Sequence, residues 1–456
     1  MTVPFKVIIV GGGLAGSLLA NGLFNHGINV TVYERDAEDA KREGFQIRLG
    51  DSAMTGFNAC LKPTDIAAIK SQFSQMSSTG LTAPTLMNTG FQTVLDLGKI
   101  PSYSASSAIN RVVLRDILAA PLQESGIIRF EKAFEGYEVF QSNDGQENVR
   151  VHFADGTTDT CDILVGADGS GSRINKQVGA RNIVPIDSHA MILSKGPLPE
   201  DWTEKLPKRL TESPLMVFAG GVSMFYALFL PAADEATQKA GDGARYNTRD
   251  ASYYWGVLIP RDKMPTDDWN KVEDPLGICL DATRDWAPEY RTMLTTGFDG
   301  KNRDLVTVAR MRASNRLAKT WRNNVKRATG DEGHPRIWLI GDAMHAMQPN
   351  RGMGGNQALH DCADALSHIL ALKEKADSGV RPSTKDISVA CSQYERRVID
   401  RAFPWVRKSG GTSVPVNDKL GWMAWFSGLD AWLVFGVRIH LYGSSLEVWG
   451  ETMRRS

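Results

Sequence analysis

Val7-Ile8-Ile9-Val10-Gly11-Gly12-Gly13-Leu14-Ala15-Gly16 decides the fold. Four consecutive β-branched residues without a polar break predict a strand buried on both faces, as in a parallel sheet. Glycines at 11, 13 and 16 then spell Gly-x-Gly-x-x-Gly, and Leu14, Leu18, Leu19 and Leu23 recur at helical spacing over 14–24. A second apolar strand, Val30-Thr31-Val32-Tyr33, ends on Glu34. Gly11 permits the tight turn, Gly13 lets a pyrophosphate reach the backbone, and Gly16 lets helix and strand pack closely. The helix N-terminus offers unpaired N–H groups and the positive end of its dipole. Glu34 is placed to accept hydrogen bonds from a ribose. The glycine spacing alone is a weak signal. With a strand before, a helix after and an acid closing the next strand, it predicts a dinucleotide-binding unit. A glycine turn in some other α/β protein would leave Glu34 unexplained.

At 456 residues the chain has room for two or three domains or one large elaborated one. Its 42% apolar content is that of a globular protein with a sizeable core. Fifty-two basic side chains balance 52 acidic ones, so no overall field favours nucleic acid or an anionic membrane. The five cysteines, Cys60, Cys161, Cys279, Cys362 and Cys391, are scattered without a Cys-x-x-Cys or Cys/His cluster. That spacing predicts no metal site and fits a reducing, cytoplasmic setting. The opening strand begins too early to leave room for a signal peptide.

Two further apolar runs end like the first. Asp162-Ile163-Leu164-Val165-Gly166-Ala167-Asp168-Gly169 follows alternating strands over 136–166, and Arg336-Ile337-Trp338-Leu339-Ile340-Gly341-Asp342 comes late in the chain. Between them, aromatic-rich strands at 191–194, 215–218, 224–230 and 253–259 predict a second, sheet-based unit, with a polar loop over 231–250 and helix over 279–298. Asn110 caps a helix running to about 118, and longer helices are expected over 356–373 and 385–407. The predicted architecture is α/β. A Rossmann-like dinucleotide domain (1–185, returning at 305–408) carries an inserted mixed β-sheet substrate domain (186–304), and a C-terminal helical tail spans 409–456.

The third strand end opens Gly341-Asp342-Ala343-Met344-His345 and continues through Pro349, Gly352, Gly354, Gly355 and Asn356. With the first turn and Asp168-Gly169, this pattern resembles the group A flavin monooxygenases, the para-hydroxybenzoate hydroxylase-like enzymes, over residues 1–408. The Gly44 to Gly50 segment and Ile109-Asn110-Arg111 add a finer similarity, to fungal tailoring enzymes that oxidise indole alkaloids of the fumiquinazoline and notoamide type. The resemblance implies FAD as resident cofactor and NADPH as transient reductant, consistent with a single dinucleotide fingerprint. It implies FAD contacts from Gly11, Gly13, Gly16, Glu34, Ile47, Arg111, Asp168, Asp342, Gly352, Gly354, Gly355 and Asn356. In that reading Glu34 binds the adenosine ribose, Arg111 reaches the adenosine and pyrophosphate side, and Asp342 binds the ribityl chain. Gly352 to Asn356 face the flavin pyrimidine ring, where backbone N–H groups stabilise negative charge. Oxygen would add to the reduced flavin as a C4a-hydroperoxide and pass to an electron-rich ring. The expected reaction is hydroxylation or epoxidation of a polycyclic aromatic, foremost an indole alkaloid. The rivals are a flavin oxidase or dehydrogenase on the same fold, or a phenol hydroxylase.

Two residues are expected to act near the chemistry. Arg48 lies in the loop that borders the moving flavin ring in the family, with a surface arginine in a helix-entry loop as the alternative. Tyr226 lies where some relatives place a substrate-binding tyrosine, with core packing as the alternative. Those relatives also carry an arginine near 190–196, whereas this chain reads His189-Ala-Met-Ile-Leu-Ser-Lys195. That departure argues against a phenolate-binding pair. Phe218, Phe225, Tyr253 and Trp255 are expected to pack within the sheet. The Trp-rich segment from 418 contains Asp430 and interrupting glycines, and reads as a helical lid or dimer surface, with peripheral membrane contact the lesser reading. The partners expected are a small aromatic substrate and molecular oxygen, with the chain a monomer or homodimer.

Overall fold

The computed structural model describes residues 4–40, 46–75, 82–99, 106–142, 145–232, 247, 250–298, 305–325 and 331–414. The expected loop over 231–250 and the tail from 418 lie largely or wholly outside these residues.

The opening strand Lys6–Val10 sits at the centre of a five-stranded parallel sheet. Ile163–Gly166 and then Ile337–Leu339 lie to one side, and Asn29–Tyr33 and Ile128–Arg129 to the other. Ile8, Ile9, Leu164 and Trp338 are fully buried, which is why these runs are apolar without alternation. Helices Leu14–Asn25, Arg111–Glu124, Gly354–Asp377 and Thr384–Lys408 pack around this sheet in one continuous core. Asn110 accepts from the Val112 N–H, so the helix starts at Arg111, and Ile109 with Asn110 closes a short strand, Ser107–Asn110.

A mixed seven-stranded sheet forms the second layer. Its order is Val306–Ser314, Ile183–Pro197, Ser252–Pro260, Val222–Phe229, Leu215–Ala219, Thr85–Met87, Thr93–Asp96. It therefore draws strands from both sides of the 186–304 span. The expected single helix over 279–298 is two, Pro275–Ala282 and Pro288–Leu294, with Pro288 at the first position of the second, where its missing N–H costs nothing. These helices cover one face of the sheet. The other face turns toward the five-stranded domain. Among the described residues no helix is long and apolar enough to cross a membrane. All five cysteines are buried and unbridged.

Candidate active site

The three glycine-bearing strand ends converge on one cleft of about 1260 Å³. That exceeds the roughly 300–1,000 Å³ of pockets for drug-sized ligands, so it has room for a large cofactor and a second molecule. Of the twelve residues expected to contact the cofactor, eleven line it: Gly11, Gly13, Glu34, Ile47, Arg111, Asp168, Asp342, Gly352, Gly354, Gly355 and Asn356. Gly16 does not. A Cβ there would lie 2.0 Å from the Gly11 carbonyl oxygen, so Gly16 serves the packing that shapes the turn.

The glycines divide by what a side chain would meet. Gly11 has φ +108°, and a Cβ would sit 2.4 Å from the Ala167 carbonyl oxygen. Gly355 is closed by Ile47, whose Cδ1 would lie 2.3 Å away. At Gly13 and Gly352 a Cβ would meet no protein atom within 4 Å. Gly13 also has φ −73°, open to any residue, so its backbone conformation does not demand glycine. What a side chain would occupy there is cleft.

Two helices begin at this cleft, Leu14–Asn25 after Gly13 and Gly354–Asp377 after Met353, and neither has a side-chain cap. Some helices elsewhere are capped, by Asn110 and by the Ser383–Asp386 capping box, while others such as Pro63–Ser71 and Pro288–Leu294 also lack a side-chain cap. The uncapped ends leave first-turn N–H groups and two positive dipole ends facing one space. Eight basic side chains and four carboxylates line the described cleft, although the whole chain is neutral.

Glu34 accepts from the Gly12 N–H (2.7 Å) and the Asp36 N–H (3.0 Å), which fixes its carboxylate at the end of its strand. Asp342 lines the cleft and is exposed to it. The protein crowded around the cleft still raises its carboxyl above the ordinary range, while His345 and Arg111 pull it back. Asp168 accepts from the Ser172 hydroxyl (2.6 Å) and the Arg173 N–H (2.8 Å), so it shapes the turn before the helix Arg173–Gln177. Asn356 is a staple. It accepts from the Gly50 N–H (2.8 Å) and donates to the carbonyls of Arg48 (2.7 Å) and Gly352 (2.8 Å). Arg48 lines the cleft, but its guanidinium donates to Thr82 and Ser106, so it braces the wall.

Tyr226 requires a correction. It is fully buried on the far face of the large sheet, near Thr296 and stacked on Tyr253 with centroids 6.3 Å apart. Alternation puts its neighbour Phe225 in the cleft instead, level with Met216 and Gly256. Phe218 and Tyr254 share that face, so Phe218 and Phe225 line the cleft rather than pack within the sheet as expected, whereas Tyr253 and Trp255 do pack in the core. Met191 and Leu258 extend the apolar wall, and Arg312 stands at its edge beside Gly171. Burial keeps the Tyr254 hydroxyl protonated well above its ordinary range. The contrast is testable. Phe225→Ala is expected to raise the KM for an aromatic substrate on the order of tenfold. Tyr226→Phe should leave it within about twofold, because no substrate reaches the core.

The FAD binding domain family matches residues 4–205 and 300–383, and the break between those segments holds three of the seven strands of the large sheet and the two helices that cover it. The chain belongs to this family. FAD is therefore its cofactor, and the residues fit it: open cleft above Gly13 and Gly352, two uncapped helix ends for anionic groups, and Glu34 for a ribose. Curated relatives share the assignment. The FAD-dependent monooxygenase thnD of Trichoderma harzianum is 27% identical over 417 residues, covering 88% of this chain and 91% of its own. The dual O-methyltransferase/FAD-dependent monooxygenase CTB3 of Cercospora beticola is 23% identical over 418 residues. That match covers 87% of this chain, which spans only 44% of the length of CTB3. The fold also matches the crystal structure of CtdE in complex with FAD and a substrate, with TM-score 0.65 at 18% identity over 89% of each chain.

Proposed function

We propose that this chain is an FAD-dependent monooxygenase of fungal secondary metabolism. It uses NADPH and molecular oxygen to hydroxylate or epoxidise a neutral, flat, electron-rich aromatic of the indole-alkaloid class. The observation that carries this reading is the continuity of the cleft. Its glycine-rich, basic end suits the phosphates and ribose of FAD, and its other end is an apolar wall of Phe218, Phe225, Tyr254, Met191 and Leu258. The names of the curated relatives support the same activity. Bound flavin supplies the redox and oxygen-activating chemistry. The chain supplies placement. The N-terminus of Gly354–Asp377 favours negative charge on its ligand, and the aromatic wall holds the substrate flat and keeps water out.

Arg312 is the one cation that the large sheet contributes to the described cleft, and it stands near Gly171 at the wall's edge. A wall without a central cation suits a substrate that reacts without deprotonation. The buried, unbridged cysteines support a cytoplasmic location. Oxygen tracing tests the reaction type. Protein reconstituted with FAD should consume NADPH faster when an indole alkaloid is added and should place one heavy-oxygen atom from labelled O2 in the product. Stoichiometric hydrogen peroxide with unlabelled product would instead establish an oxidase.

A further inference from the structure

We propose that Asp361 is a positioning residue for FAD, a single buried carboxylate that sets the Gly341–Asp342 turn against the N-terminus of the long helix. Its side chain is fully inaccessible. One oxygen, Oδ2, accepts from the Gly341 N–H (2.7 Å) and meets His345 Nε2 (2.6 Å). Those two groups bracket the short helix Asp342–His345, so one atom pins both its ends. The other oxygen accepts from Arg401 (2.6 Å). Arg401 is itself fixed by Gln357 Oε1 (2.6 Å) and Asp364 (3.1 Å). Burial opposes the charge on Asp361, but His345 and Arg401 hold the carboxyl below its ordinary range.

Two facts make this more than packing. Asp361 belongs to the helix Gly354–Asp377, whose first residues face the cleft, and it grips the turn that presents Asp342 to the same cleft. The turn also lies hard against that helix, since a Cβ on Gly341 would fall 2.9 Å from the Ala358 Cβ. A buried ion pair is weak support for stability, because desolvation offsets its attraction. Its best-attested use is to specify one arrangement, and here the arrangement fixed is the spacing of two cofactor-facing elements.

The inference rests on the cleft being the FAD site, and a full-length wild-type apoprotein that fails to bind FAD would sink that assignment separately. The test compares two buried pairs. Glu395, on the helix Thr384–Lys408, accepts from Arg322 (2.7 Å), and neither residue lines the cleft. FAD is titrated into full-length apoprotein by flavin fluorescence, beside the thermal midpoint of each apoprotein. Asp361→Asn is expected to weaken FAD binding on the order of tenfold, while Glu395→Gln lowers the midpoint yet leaves Kd within about twofold. Equal effects of the two substitutions on Kd would overturn the proposal. If Asp361→Asn does not fold, Arg401→Lys carries the test. It keeps the cation but not the shared grip on Gln357, and should weaken FAD about threefold. An unchanged Kd in Arg401→Lys would then refute it.

Discussion

Gly13→Val is expected to give a protein that folds like wild type and no longer retains FAD. A Cβ at this position meets no protein atom within 4 Å, and φ −73° suits any residue. The only protein cost is that of a poorer N-cap residue, about 1 kcal/mol, so the apoprotein midpoint should fall by no more than a few degrees. The new side chain projects into the space that a pyrophosphate must enter to reach the first-turn N–H groups. FAD affinity should fall at least about a hundredfold, equivalent to roughly 2.7 kcal/mol. Gly11→Ala is the opposite case. Its φ of +108° and the 2.4 Å approach to the Ala167 carbonyl place the damage in the fold. A cost of about 3 kcal/mol or more is expected there, read as a lower apoprotein midpoint. Differential scanning fluorimetry with and without FAD separates the two. Equal stability losses in both variants would show that Gly13 is a structural glycine.

Asn356→Asp should be nearly as damaging through a different route. The amide side chain accepts one N–H, from Gly50, and donates to two carbonyls, those of Arg48 and Gly352. An aspartate keeps the acceptor and turns the donor into an anion facing two carbonyl oxygens. Asn356 is 3% exposed, so water cannot relieve that contact. Loss of both donated bonds with burial of an unpaired charge is expected to cost roughly 3–5 kcal/mol. The segment 46–50 would separate from the Gly352 loop, so FAD should bind at least about tenfold more weakly in any protein that still folds. Thermal unfolding and FAD titration check both effects. Wild-type values for both would mean that the staple is dispensable.

The three strand ends were legible because their chemistry is local. Unbroken β-branched runs, glycines at fixed spacing and an acid one position past a strand all lie within a few residues of each other. The failures share a physical cause. Alternation told that Phe225 and Tyr226 face opposite sides, but only the helices at 275–294, packed on one face, decide which is core. Thr85–Met87 joins the large sheet by pairing with Leu215–Val217, far along the chain, and three residues carry no register signal. Arg48 became a wall brace because Thr82 and Ser106 come to it from separate segments. Asp361 carries a signal in the sequence. It interrupts the apolar stripe of Leu359, Cys362, Ala365 and Leu366 on a buried helix face, where a carboxylate needs partners.

The central claim is that one flavin nucleotide spans the cleft from Glu34 to the N-terminus of Gly354–Asp377. A crystal structure determined with FAD measures this directly. The adenosine ribose should lie within hydrogen-bonding distance of Glu34, with the flavin ring between Gly352–Asn356 and the wall of Phe225 and Tyr254. Density showing the nucleotide reversed in the cleft, or bound outside it, would contradict the account.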